Sequence, residues 1–142
     1  MKTFILSLFI TLTLSASAIN HHQIKIIEKI FSEISISTEL KIWSDNKKLL
    51  SELKKCTKFI TVENPKDATM IILEDRDNLS KEVLSKSIFV LNYNLLSKIP
   101  KSFGALFWKK GRPNIVIIKP RIETQSIEIS QALHPYLEER VW

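Results

Sequence analysis

The chain holds two glycines, one cysteine and three histidines in 142 residues. Each shortage removes a class of function. With Gly104 and Gly111 as the only glycines, no dinucleotide fingerprint can be built, and no Gly-rich phosphate loop follows an apolar strand. One thiol, Cys56, cannot close an intramolecular disulfide. The chain must therefore hold itself together by a core rather than by staples. Cys56 reads as a small, half-buried residue near a helix end, with an intermolecular bridge or a free thiol as the alternatives. The histidines are His21, His22 and His134. No serine sits in a nucleophile-elbow context. Ser130 lies one helical turn from His134, but a helix cap accounts for it better than a catalytic pair does. Nothing assembles an active site, so the expectation is a protein that is not an enzyme and carries no cofactor.

Long apolar runs are also missing, apart from one at the start. Met1-Lys2 precedes an apolar run from Phe4 to Leu14, and Ser15-Ala16-Ser17-Ala18 follows. A basic start, a short hydrophobic middle and small residues at the last positions have the form of a secretory signal peptide. The run is about 11 residues, where a membrane-spanning helix needs roughly 20. No Cys follows the small residues, which argues against a lipid anchor. The expected organisation is a signal peptide over 1–18 and a single α/β domain over 19–142, exported to the periplasm.

Lys and Arg number 21 against 15 Asp and Glu, a formal charge of +6. For an exported chain the anionic partners to expect are headgroups, envelope polymers or an acidic protein face, not nucleic acid. Contact with a membrane would be peripheral at most.

Apolar periodicity then sets the fold. Ile24, Ile27, Phe31 and Ile34 recur at helical steps within an amphipathic helix over 20–36. Residues 40–43 read as a strand. Asp45 then stands as the N-cap of a helix striped by Leu49, Leu50 and Leu53. Residues 59–62 form a second strand, closed by Glu63-Asn64-Pro65. The runs 68–73 and 88–91 are apolar with almost no polar alternation, the mark of parallel strands covered on both faces. A helical turn over 92–97 ends before Pro100. Residues 103–108 and 115–118, joined through Lys109-Lys110-Gly111-Arg112-Pro113, read as a β-hairpin in which Gly111 supplies a positive φ. In it Phe103, Ala105 and Phe107 alternate with Gly104, Leu106 and Trp108. Ser130 caps a last helix over 131–140 that Pro135 shortens or divides. The expected architecture is a small three-layer α/β sandwich. Its sheet is mostly parallel, in the order second, first, third and fourth strand, with the hairpin added at one edge.

Open α/β sheets bind ligands at the carboxyl ends of their strands. Here that places Asp45, Asp75 and Asn92 as the candidate site of a small-molecule receptor. One domain of this size lacks the two lobes that clamp a solute, which makes this the alternative reading. The cluster Glu74, Asp75 and Asp77 could hold a hard cation, but reads better as a solvated loop. Cleavage after Ala18 would expose Ile19-Asn20-His21. An amine, two amides and the His21 imidazole could then surround Cu(II) or Ni(II) in a square plane; two polar residues at a frayed helix start are the plainer reading. The hairpin offers a different surface. Phe107 and Trp108 stand beside Lys109, Lys110 and Arg112, and Trp and Arg are common anchors at protein interfaces. The competing reading packs the aromatics on helices and leaves the lysines to guard an edge. Val141-Trp142 poses the same choice.

The run Gly104-Ala105-Leu106-Phe107-Trp108-Lys109-Lys110-Gly111-Arg112-Pro113-Asn114-Ile115, followed by Ile129-Ser130-Gln131-Ala132-Leu133, resembles the YfiR-like periplasmic proteins. In that family a leading helix enters an α/β core. A Gly-initiated strand then turns through a basic tip into a second strand, and a short helix comes after an Ile-Ser step. The chain departs from the pattern at Lys119-Pro120, where the family often has Asn, and in its lack of an internal disulfide. The resemblance implies a non-catalytic regulator that binds the outward-facing domain of an inner-membrane signalling protein, such as a diguanylate cyclase or histidine kinase.

Overall fold

The structure is a computed structural model and describes residues 21–142. The signal-peptide segment and the Ile19-Asn20 part of the candidate copper site lie outside the described residues. Helix α1 runs over 21–32. It leads into β1 (Ile34–Ser35), which pairs antiparallel with β8 (Glu128–Ile129) in a two-stranded ribbon. The main sheet has seven strands: β2 (Lys41–Ser44), β3 (Ile60–Thr61), β4 (Met70–Leu73), β5 (Ser87–Val90), β6 (Ser102–Lys109), β7 (Arg112–Ile118) and β9 (Leu137–Glu138). Their order is β3-β2-β4-β5-β6-β7-β9. All neighbours are parallel except β6 and β7. The first four strands keep the expected order. Every side chain of β4 is buried, as an apolar run without alternation requires.

Two core clusters, one on each face, make the three layers. Ile27, Ile30 and Phe31 of α1 and Leu49 and Leu53 of α2 (Lys47–Leu53) pack on Ile42, Met70, Ile72 and Phe89. On the other face, Val83 of α3 (Lys81–Leu84) and Leu95 and Leu96 of α4 (Asn94–Lys98) pack on Ile71, Leu73, Ile88 and Val90. Alternate side chains of one strand thus feed separate cores. Among the described residues, no helix is long and apolar enough to cross a membrane.

Four expectations need correction. First, Asn46 and not Asp45 caps α2: its side chain accepts the Leu49 N–H at 3.0 Å. Second, the segment after Ser130 is a 3₁₀ helix, Gln131–Tyr136, rather than an α-helix to 140. Pro135 has no N–H to extend it, and the chain straightens into β9. Third, the hairpin is therefore not the outermost element along its whole length, because β9 pairs with β7 at Ile117 and Ile118. Fourth, the simple alternation along β6 breaks at a β-bulge. Ile88 pairs with Ser102 but Phe89 with Gly104, which leaves Phe103 as the extra residue. An extra residue reverses the facing of every later position in the strand. Phe103 consequently joins Leu106 in the core under α1, while Ala105 and Phe107 face α4.

Helix α5 (Lys119–Thr124) fixes the root of the hairpin. Its Arg121 donates to the carbonyls of Leu96 and Ser102, at 2.7 and 2.8 Å, and to Ser102 Oγ at 3.2 Å. Burial pushes this guanidinium below its ordinary range.

Candidate functional site

The fold makes the strand ends the default ligand site. Asp45, Asp75 and Asn92 do lie at the carboxyl ends of β2, β4 and β5. Each already accepts at least one internal hydrogen bond. Asp45 accepts the backbone N–H of Glu74 at 2.8 Å and of Asp75 at 3.0 Å, and the Asn78 amide at 2.9 Å. Asp75 caps its own turn by accepting the Asp77 N–H, and Asn92 accepts the Asn94 N–H. Glu74 accepts the Asn46 amide at 2.7 Å. These carboxylates and amides tie the β2 loop to the β4 loop and close two local turns. Among the described residues, no group of three or more His, Cys, Asp or Glu is placed to hold a metal ion. His21 is exposed at the start of the described helix. Ser130 caps the 3₁₀ helix, and its hydroxyl bonds to the Glu33 carboxylate rather than to His134.

The hairpin tip is different. β6 and β7 pair without interruption from Gly104–Ile117 to Lys109–Arg112. Lys110 and Gly111 form the two-residue turn, with φ of 52° and 74°. Two successive positive φ angles are those of a type I′ turn, which matches the twist of the strands it joins. At the root, Gly104 is required by closeness: a Cβ there would lie 2.8 Å from the Val116 carbonyl and 3.1 Å from the Phe89 ring. From this packed root the ladder runs outward until it leaves the core. Phe107 is half-buried and meets Tyr93 edge-on, with ring centroids 5.0 Å apart. Trp108 is 40% exposed, its ring edge-on to His22 of α1 at 5.8 Å. Lys109, Lys110 and Arg112 are exposed. Ion pairs among the described residues join Lys54 to Glu63, Lys55 to Glu52 and Lys119 to Glu139; none involves the tip. Both readings of the aromatics are realised, one on each ring. Phe107 packs, and Trp108 stays open beside three cations that join none of these pairs.

At the other candidate anchor, Val141 packs on the α4-side core while Trp142 is 75% exposed under the Arg140 guanidinium. Cys56 is half-buried just beyond α2, against the α1-side core.

A groove of about 460 Å³ beside the hairpin escaped sequence reading. Helix α1 forms one wall with His22, Ile26 and Ile30; Pro113 and Ile115 of β7 form the floor; Leu133 and Tyr136 of the 3₁₀ helix form the other wall. The signal available was the width of the α1 stripe. His22 and Ile26 lead at four-residue steps to the buried Ile30, a second row beside that of Ile24, Ile27 and Phe31.

No family model matches the chain, and no curated protein does.

Proposed function

We propose that this chain is a non-catalytic docking domain of the periplasm. It binds the outward-facing domain of an inner-membrane signalling protein, such as a diguanylate cyclase or histidine kinase, and changes that protein's output. The observation that carries the reading is the hairpin tip: Trp108 is 40% exposed next to Lys109, Lys110 and Arg112, at the end of a ladder whose root is locked in the core. A rigid root fixes the tip in space, so docking costs little ordering entropy. The leader-like residues 1–18 and the YfiR-like order of pieces point the same way. Regulation results if the domain binds one state of its partner more tightly than the other. The solute-receptor alternative is the less favoured reading, because Asp45, Asp75 and Asn92 each serve internal bonds.

The test is in-cell photo-crosslinking from position 110, with the captured membrane protein identified by mass spectrometry. Changing Trp108→Ala and Arg112→Ala together should reduce capture at least about tenfold, the loss expected when interface anchors are removed. The melting temperature should stay within a few degrees of the parent. Undiminished capture by a normally folded variant would refute the hairpin as the docking site.

A further inference from the structure

From the edge of β7 we infer that the partner segment is an acidic, extended peptide that adds itself to the main sheet as a strand beside Pro113–Val116. This rests on the docking reading above and specifies what docks and how.

The backbone of β7 leaves part of its outer edge open. Lys109 and Arg112 flank the two-residue turn as a pair. In such a hairpin they exchange hydrogen bonds, and every second pair along the ladder does the same. Asn114 and Val116 therefore bond inward to β6, while Pro113, Ile115 and Ile117 turn their peptide groups to the outer side. Pro113 fits that pattern, since its missing N–H falls where β6 needs no donor. Ile117 and Ile118 are covered by β9. The N–H and C=O of Ile115 are not: among the described residues no backbone bond joins Ile115 to the 3₁₀ helix, and β9 begins beyond it. The open edge from Arg112 to Val116 is about 17 Å long at the usual strand rise, enough for a peptide of about five residues.

A groove for side chains adjoins this edge. An added strand would send alternate side chains to the α1 face, which is where the groove lies. Its volume of about 460 Å³ is within the range of pockets that bury a ligand, roughly 300–1,000 Å³. The floor and walls are largely apolar, with Ile26, Ile30, Ile115 and Leu133 among them. Strand addition joins main-chain bonds for affinity to side-chain pockets for selectivity, and both are present here.

Charge selects the occupant. Lys110 and Arg112 stand at one end of the edge and Lys29 on the groove wall. Glu33, also on that wall, keeps its negative charge while its carboxylate accepts the Ser130 hydroxyl. Three cations against this one carboxylate still leave the field at the edge positive, which favours a segment flanked by Asp or Glu. A second copy of the chain would bring a basic tip toward a basic surface.

The test uses the ¹⁵N-labelled domain and the peptide acetyl-Asp-Val-Glu-Ile-Glu-Val-Asp-amide. At saturating peptide the Ile115 amide should exchange with solvent about tenfold more slowly, because a strand hydrogen bond must open before exchange. The amides of Asn114 and Val116, already paired to β6, should change little. The Asn/Gln version of the peptide should bind at least about fivefold more weakly, as loss of charge complementarity requires, and a version N-methylated on its central residues should give no protection. Binding without slowing at Ile115, equal binding of the neutral peptide, or no binding at all would each overturn the inference. So would concentration-dependent protection of Ile115 without peptide, which would give the edge to a second copy. If Ile115 fails this test while Trp108 and Arg112 still govern capture in cells, strand addition alone falls. If capture ignores those residues too, the docking reading falls with it.

Discussion

The two glycines sit at opposite ends of one β-ladder, and the contrast between them describes the molecule. Gly104, at the root, has no room for a side chain. Gly111, at the turn, would give a Cβ no neighbour within 4 Å and is needed only for its backbone angle. The root is a packing problem and the tip a conformational one. A ladder with those two ends behaves as a lever: fixed where every atom is contacted, free where recognition takes place.

The contrast can be broken from the root. Gly104→Ala forces a methyl group against a backbone carbonyl that cannot rotate away. Overpacking of this kind costs about 3 kcal/mol, read as a lower urea midpoint with an unchanged slope. An intact midpoint would show that β6 and β7 can separate at their root and that the hairpin is not rigidly held. The strand ends sharpen the comparison next. Asp45 accepts three hydrogen bonds, so Asp45→Ala should lose about 2 kcal/mol, typical of bonds to a charged group at a partly exposed site. A stability-neutral Asp45→Ala would instead leave that carboxylate free for a ligand and revive the receptor reading. The smallest effect belongs to the tip. Gly111→Ala should cost about 1 kcal/mol, the penalty for a side chain in the left-handed region, read as a roughly fivefold loss of protection in core amides that exchange through global unfolding.

Much of the sheet was legible because its signals are local. Met70–Leu73 and Ile88–Val90 are apolar without alternation, and that alone implies two covered faces and parallel neighbours. The hairpin turn announced itself through Gly111 within the connection 109–113, which strand pairing narrows to Lys110-Gly111. The features that stayed hidden depend on contacts between distant residues. The bulge at Phe103 exists because β5 sets the register of β6, and nothing in Ser102-Phe103-Gly104 marks an extra residue. Asp45 and Asn46 are both good capping residues; only the neighbouring β4 loop, which offers N–H groups to Asp45, decides that Asn46 takes the helix. The two-residue strands β1, β8 and β9 are too short to carry a pattern. For the candidate site, the tip residues were legible as chemistry, since aromatic and basic side chains around a turn are visible in the chain. The groove was not, because its walls come from α1, β7 and the 3₁₀ helix, which are far apart in sequence.

The extra residue at Phe103 also governs how this protein can change its length. Without Phe103, Ser102 opposite Ile88 and Gly104 opposite Phe89 would become neighbours in regular register, so Leu106 would keep the α1 face and Ala105 and Phe107 the α4 face; the loss would be one buried ring, not the arrangement of the strand. A residue gained or lost further along β6 would instead swap the faces of everything beyond it. Variation in chain length among descendants of this sequence should accordingly collect at the exposed turn and spare the regularly paired length of the ladder.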